Sequence, residues 1–582
     1  MGVSTAYVPQ QPQPVRPAAP APTTAPYTSE ATRLLCAGTY LDSGYRDQVI
    51  DELYLNEQRI TAPSLGFDAS RVLAHALRAR RLELAWDAAI LGLWAVGAAL
   101  SQGWLLLFLG LGLQLAIASW IRGRDEHPPL YRVVPAWVLR WYSRIGLLYL
   151  FVATVFLAFG AGDDSSGSSS PYDGVYGTTS TSSLSATDVL DPGGSTFSAL
   201  QAWLSLAVLA LIALCVAAQR SQVTRSLSQE LSTQRFPDAA ADPALTAEGG
   251  RLRRMTGRIR AEQHQPLIMY HEARPFCGAG SAYDTWVLAV ELRPDAMRKQ
   301  RPLTNRTVLD TVRPLLEQLR ESAATNLQFP VRDRLRGLEI DECVFLPVEG
   351  LLRREDAPYQ PEVFEEHRRR AVEEGAEKRR HFLRVRVGGW EEELVVSVFF
   401  RVHTQGRMLM LEVAPHVLTP VREEFKDADR LAHRYNRNSV LGKAAYAVPR
   451  VPRSAGAALA HLGRLIVFGW RLLTAGNAGA LPEGPARSVR ELGAAPRGSL
   501  FQEMDVDRYL RTVQDRIAHG VRTALLEAGY QTGEFVQKIV NISNGGVNIE
   551  SVEDSTFAVG SHATATSGVE PQKGADGDGR PA

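Results

Sequence analysis

The sequence has 582 residues, more than one hydrophobic core usually supports, so several structural units are expected. Its 64 lysines and arginines nearly balance its 63 aspartates and glutamates, which excludes the basic field of a chain that binds nucleic acid. The four cysteines lie far apart, without the spacing of a zinc site or a disulfide framework, so no metal is expected.

The amino-terminal residues are polar and contain no apolar core of a cleavable signal peptide. Residues 1–30 are rich in proline, alanine and glutamine, a composition that predicts a disordered tail. Residues 31–81 show helical patterns and predict a small cytoplasmic helical region, in which Asp68 caps the last helix.

Two stretches without lysine or arginine follow, and they predict four transmembrane α-helices. Residues 82–121 form an apolar stretch about twice as long as the roughly 20 residues that one crossing needs. Its polar centre at 101–103 predicts a hairpin of two spans, near 84–100 and 104–121. The third and fourth spans are 145–160 and 197–218.

The positions of the arginines predict the orientation of these spans. Arginines precede the first span, fill the loop 122–144 and begin the connector 219–263, whereas the Ser/Thr/Gly-rich loop 161–196 contains no cation. Short basic loops stay in the cytoplasm. The pattern therefore predicts a multi-pass protein of the plasma membrane, with an extracellular loop at 161–196 and both termini in the cytoplasm.

Two polar residues, Asp87 and Gln114, lie inside the predicted spans. Intramembrane polar groups can form an ion path, which would suit a transporter or channel component. They can also hydrogen-bond between packed helices, or reach the headgroups. The packing interpretation is favoured, because transporters usually have more spans and broken helices.

Residues 264–425 alternate in hydrophobicity and contain one long helical pattern, which predicts a cytoplasmic α+β domain with a largely antiparallel sheet. No complete catalytic motif is found in these residues. His271-Glu272 begins like a zinc-protease motif, but Pro275 stands where the second histidine is needed. No catalytic residue and no cofactor are therefore predicted.

Residues 426–500 are predicted to be a linker that contains an amphipathic helix near 456–475. Arg464 and Arg471 recur on one face of this helix, and two arginines would be costly in the bilayer centre. The pattern favours a helix lying in the headgroup plane. Packing on the α+β domain and a fifth span are the alternatives.

The carboxy-terminal part combines an amphipathic helix at 501–530 with an unusual β-prone segment and tail at 531–582. The segment predicts either a hairpin with an Asn-Gly turn docked on its own domain, or strands that stack between chains. Its candidate interaction residues are Val540, Asn541, Ile542, Asn544, Gly545, Val547, Asn548, Ile549, Phe557, Val559 and Gly560.

This segment resembles the short amyloid-forming signalling motifs at the ends of some bacterial proteins from multicellular lineages. That resemblance implies self-association, or templating of a partner with a matching motif. The whole chain is similar to uncharacterised multi-pass membrane proteins of actinobacteria, through LLCAGTYLD, RITAPSLGFDASRVLAHALRAR and RPFCGAGSAYDTW. This second resemblance implies an architecture and no activity.

Together these features predict a membrane protein with four transmembrane α-helices, a cytoplasmic α+β domain and disordered termini. The expected partners are the lipid bilayer and a protein, or a second copy, bound through the tail. The expected function is that of a non-enzymatic scaffold or signalling protein. A transporter component and a membrane-bound enzyme with an unrecognised site are the alternatives.

Overall fold

The computed structural model describes residues 25–123, 129–160, 199–246, 249–320, 335, 337–374, 377–389, 393–474 and 480–543. The chain divides into two compact units. The first, termed the helical unit, contains Met1–His264, Leu351–Arg354 and Val421–Ala495. The second, termed the sheet unit, contains Gln265–Gly350, Glu355–Pro420 and Pro496–Ala582.

The helical unit begins with three capped helices. They are α1 (Glu30–Leu41), α2 (Ser43–Ile50) and α3 (Ala69–Leu100). The side chains of Ser29, Asp42 and Asp68 each accept a hydrogen bond from a backbone N–H of the first turn, which fixes where each helix starts. The cap predicted at Asp68 is confirmed. Helix α3 continues without a break from the amino-terminal helical region into the first apolar span.

Five described helices are long and apolar enough to cross a membrane, which indicates membrane association and is one more than predicted. They are α3, α4 (Trp104–Arg122), α5 (Leu130–Gly160), α6 (Ala199–Arg225) and the pair α13 (Val440–Ala447) and α14 (Val451–Thr474). The helix breaks as predicted at Gln102 and Gly103, whose φ angles are 48° and 93°. The predicted loop 122–144 is largely helical, because α5 already begins at Leu130.

Short helices from two distant parts of the chain complete the helical unit. They are α7 (Pro243–Thr246), α8 (Gly250–Glu262), α11 (Glu423–Lys426), α12 (Ala428–Arg437) and α15 (Val489–Leu492). Phe425 is fully buried beside Gly38, where a Cβ atom would lie only 2.5 Å from its ring. Residues 426–500, predicted as a linker, thus contribute packed helices to this unit.

The described strands of the sheet unit form one seven-stranded sheet in the order β1-β4-β5-β6-β7, with β2 and β3 both paired to β7. They are β1 (Leu267–Tyr270), β2 (Ser281–Ala282), β3 (Trp286–Glu291), β4 (Leu338–Pro347), β5 (Arg380–Gly389), β6 (Leu394–Gln405) and β7 (Met408–Leu418). Only β1 and β4 pair in parallel. The predicted α+β class with a largely antiparallel sheet is confirmed.

Helices cover one face of this sheet and enclose the largest core of the unit. They are α9 (Asn305–Glu317), α10 (Pro361–Glu373), α16 (Leu500–Glu527) and α17 (Gly533–Ser543). Helices α9 and α16 approach closely, since a Cβ atom on Gly520 would lie 2.9 Å from the Cα of Val312. The amphipathic helix predicted at 501–530 is therefore an integral part of the sheet unit, which extends beyond residue 425.

The β-prone segment of the tail lies only partly within the described residues. Val540, Asn541 and Ile542 are in the last turns of α17, so a strand at these residues is wrong. Their helix is fixed by Phe535 and Ile539, which pack at helical spacing against the core. The other predicted interaction residues lie outside the described residues, namely Asn544, Gly545, Val547, Asn548, Ile549, Phe557, Val559 and Gly560. The same holds for 1–24 of the predicted disordered tail and for the loop 161–196.

Candidate functional site

Asp87 on α3 has its hydrogen-bond partner on α14. Its Oδ2 lies 2.7 Å from Nδ1 of His461, so the imidazole donates to the carboxylate. The Asp87 side chain is only 8 % exposed, and Nε2 of His461 lies 3.6 Å from Glu83. The two partners are 374 residues apart, so no local spacing in the sequence could identify the pair.

Gln114 on α4 is held by a different helix. Its Oε1 accepts a hydrogen bond of 3.2 Å from the hydroxyl of Ser143 on α5. The structure therefore does not bring Asp87 and Gln114 together. Each residue instead ties its own helix to a neighbour, which satisfies a polar group that would be costly in lipid.

The two arginines predicted to lie against headgroups bind carboxylates of α2 and the turn that follows it. Arg464 lies 3.2 Å from Asp47, and Arg471 lies 3.3 Å from Asp51. Between them, the ring of Phe468 stacks on Tyr54 at 6.3 Å. This face of α14 packs on protein through these ion pairs, and a role of the two arginines at the membrane surface stays a prediction.

A buried polar network ties α3 to the segment before α7. Nε of Arg71 donates to Asp242 at 2.9 Å, and Nε2 of His75 lies 3.1 Å from the same oxygen. The hydroxyl of Tyr40 lies 3.2 Å from Nδ1 of His75. Burial alone would raise the pKa of Asp242, but the hydrogen bond and charge of His75, with Arg71, hold it well below its usual range. Arg71, His75 and Asp242 are buried, so the network stabilises the fold.

A second network holds the helical layer to the sheet around one carboxylate, Glu342 on β4. It accepts hydrogen bonds from Arg306 at 3.0 Å, Arg368 at 2.9 Å and His381 at 3.1 Å, and Arg313 lies 3.2 Å away. Burial opposes ionisation, but these donors outweigh it and keep the pKa of Glu342 well below its usual range. No described group of three or more His, Cys, Asp or Glu side chains is placed to hold a metal ion.

One open site of the sheet unit lies on the face opposite the helices. There an aromatic cluster replaces the aliphatic core, and Phe276 from the β1–β2 loop lies among the rings. Its ring centroid is 5.3 Å from Phe345, 5.6 Å from Phe382 and 4.8 Å from Phe399. Edge-to-face and tilted contacts of this kind stabilise the cluster beyond simple burial.

Beside this cluster is a cavity of about 310 Å³ with an aromatic floor and a charged rim. Its lining residues are Tyr270, Glu272, Pro275, Phe276, Phe345, Glu377, Lys378, Arg380 and Phe382. At the rim, the hydroxyl of Tyr270 donates to the carbonyl of Lys378 at 3.0 Å, and Lys378 lies 3.4 Å from Glu272. The cavity therefore offers apolar contact inside and charges of both signs outside.

The loop RPFCGAG, which sequence reasoning noted only for a resemblance, builds this cavity. Phe276 supplies part of the floor, and Gly280 lets the backbone pass β7. Gly280 has φ of 96°, and a Cβ atom there would lie 2.2 Å from the carbonyl oxygen of Val417. Sequence reasoning missed the site. Its signal was the row of phenylalanines on one face of β4, β5 and β6, where the other face is mainly aliphatic.

The comparisons with known proteins concern the second half of the chain, and the matched range includes residues of both units. No curated protein and no solved structure matches the chain. The matched residues begin beside β3 and continue beyond α17. Over residues 285–556, the chain is similar to the AbeC-like domain family.

Proposed function

We propose that this chain is a membrane-anchored protein whose sheet unit, in the cytoplasm, binds a partner protein through the aromatic cavity. The proposal is based on the cavity itself, which combines three phenylalanines in its floor with Lys378, Arg380 and two glutamates at its rim. Protein interfaces concentrate their binding energy where an apolar or aromatic side chain enters such a pocket and polar groups surround it.

The size of the cavity suits one anchoring side chain. About 310 Å³ is at the lower end of pockets that bind small molecules, and it accommodates a leucine or an aromatic ring. Burial raises the pKa of Tyr270, which keeps its hydroxyl protonated as a donor at the rim. A partner segment with one apolar anchor between charged residues is the complementary chemistry.

The proposed arrangement has four membrane crossings, with α14 as a helix that does not cross. Tyr435, ahead of α13, donates to the carbonyl of Ala217 near the carboxy-terminal end of α6. The far end of α14 packs on Tyr54 and Asp51 of the amino-terminal helical region. Arginines follow α6 and also precede the first span, so both ends of the 440–474 segment lie on the basic, cytoplasmic side.

Cysteine labelling in intact cells tests this topology. In a background without the native cysteines, single cysteines replace Ser168 of the loop 161–196 and Leu481, an exposed residue after α14. A membrane-impermeant maleimide should label position 168 in intact cells and position 481 only after permeabilisation. Labelling of position 481 in intact cells would mean that α14 crosses the bilayer.

The binding proposal is tested by reversing a charge at the rim. The side chain of Lys378 is mostly exposed, so the fold should tolerate the substitution Lys378→Glu. The matched control is Arg293→Glu, which breaks the exposed ion pair with Glu291 on the same unit but away from the cavity. Proteins that copurify from membranes with the wild-type chain and the control should be lost from Lys378→Glu. Identical sets from all three chains would reject the cavity as the binding site.

The tail is proposed as a second interaction element, through self-association or a matching partner motif. In its favour, the similarity to the AbeC-like domain continues to residue 556, beyond the end of α17. An ion path is less well supported, because Asp87 and Gln114 are both engaged in helix–helix hydrogen bonds.

A further inference from the structure

Four arginines from three helices of the helical unit gather where α4, α5 and α14 pack together. They form the arginine cluster, which consists of Arg122, Arg140, Arg144 and Arg453. The packing of α14 on α4 is close: a Cβ atom on Gly112 would lie 1.9 Å from the carbonyl oxygen of Pro452. The packing of α5 on α4 is fixed by the hydrogen bond from Ser143 to Gln114.

The charges of this cluster act on one another. Arg122, Arg144 and Arg453 each lie close enough to repel the charge of Arg140. Among the described residues, no carboxylate is within 4 Å of any member of the cluster. The exposed arginines further along α14 differ in this respect, since both have an aspartate partner. The arginine cluster therefore has an unbalanced positive charge at its place in the fold.

The position of Arg453 makes this charge costly. It follows Pro452, which contacts α4 at Gly112, ten residues or about 15 Å before the end of α4 at Arg122. A guanidinium keeps its proton at any physiological pH, and leaving it in hydrocarbon costs several kcal/mol. Long basic side chains extend along the helix to reach polar groups. If the Arg453 side chain extends towards Arg140, it meets another positive charge and no anion.

We propose that the arginine cluster binds the phosphate of an anionic phospholipid headgroup. Arginine presents a planar fork that matches phosphate oxygens in a bidentate way, and basic pockets between membrane helices bind such headgroups. The neighbouring rings of Trp137 and Trp141, 6.1 Å apart and more than half exposed, are of the type that lies at headgroup depth. The exposed tryptophans beside the arginine cluster favour a lipid over a soluble phosphate as the ligand.

Native mass spectrometry on the full chain tests this proposal. The chain is extracted from membranes made of equal parts phosphatidylcholine and phosphatidylglycerol, and the retained lipids are counted. The wild type should retain phosphatidylglycerol in preference to phosphatidylcholine. Arg453→Gln should reduce this retention about tenfold, as expected for a lost charge-assisted contact. Arg453→Lys keeps the charge without the fork and should be intermediate.

Two comparisons make the outcome decisive. Arg471→Gln changes an exposed arginine of the same helix that already has Asp51 as partner, and it should retain lipid like the wild type. Unchanged retention in Arg453→Gln, or equal loss in Arg471→Gln, would overturn the proposal. Addition of inorganic phosphate separates the two phosphate sources. If it displaces the bound lipid at equal concentration, the ligand is a soluble phosphate and the lipid proposal fails.

Discussion

Replacing Glu342 with glutamine is expected to loosen β4 and β5 from the helices that cover them. The carboxylate is 11 % exposed and is held by three arginines and His381, whose donors come from α9, α10 and β5. The Glu342→Gln variant keeps the size of the side chain but removes the charge. The arginines then lose their shared negative charge and keep a single amide oxygen as acceptor at a largely buried position.

The magnitude follows from how much of this network is buried. Removing one partner of a fully buried ion pair costs about 3–5 kcal/mol, whereas an exposed pair contributes about 0–1 kcal/mol. Glu342 is nearly buried, but its arginine partners are 22–38 % exposed, so water replaces part of the loss. An intermediate value of about 2 kcal/mol is expected, which is a roughly 30-fold increase in local opening.

Hydrogen exchange of the full chain in detergent measures this opening. Peptides of β4 and β5 should exchange about 30-fold faster in Glu342→Gln, after correction for intrinsic rates. The matched control is Glu365→Gln, because Glu365 is half exposed and binds only Arg368 of the same helix. Exchange in the control should be close to that of the wild type.

The lowered pKa of Glu342 predicts that the stability of β4 and β5 decreases at acidic pH. Its pKa is lowered in the folded state, so its contribution is complete above the unfolded value of about 4.3 and is lost as pH falls. Wild-type β4 and β5 should therefore open as pH falls below about 4.3, whereas Glu342→Gln should show no such acid transition. Equal exchange in the two chains at pH 7 would refute the reasoning.

Three further predictions concern other parts of the chain. Asp242→Asn leaves a buried guanidinium without its carboxylate and should lower the unfolding free energy of the helical unit by about 3–5 kcal/mol, measured by hydrogen exchange of α1 and α3. Gly112→Leu should displace α14 and increase maleimide labelling of a cysteine in its first turn, whereas Gly110→Leu, which has open space, should not. Truncation after Ser543 should leave the sheet unit stable and abolish self-association, whereas truncation after Thr532 removes α17 and should destabilise the unit.

Features with a local period were predictable from the sequence. The alternation in β5, β6 and β7 gives each strand one aliphatic face, and the strands lie where that pattern predicts them. The absence of cations over 82–121 likewise located α4 and the apolar part of α3. These signals need only neighbouring residues, so one sequence suffices to find them.

Contacts between distant residues could not be predicted in this way. Asp87 and His461, or Gly38 and Phe425, have no common spacing, and each residue alone fits several roles. The strand expected at Val540 fails for a related reason. β-branched residues favour strands only weakly, and the anchoring of Phe535 in the core decides for a helix.

The aromatic cavity was only partly foreseeable. Phe345, Phe382 and Phe399 share one face of three neighbouring strands, and this pattern is visible in the sequence once the strands are assigned. The contribution of Phe276 is different, because it depends on the path of the loop past β7. A loop without regular period gives no indication of where its side chains lie.

The pairing of Asp87 with His461 also constrains how the protein is made. Ribosomes add about 5–20 residues per second, so the 374 residues between the two partners take about 20–75 s to synthesise. During that time the acidic side chain of Asp87 on α3 lacks its final partner. The helical unit closes only when Val421–Ala495 arrives. Synthesis of this protein therefore includes a long-lived intermediate, in which α3 is complete and its contact with α14 is not.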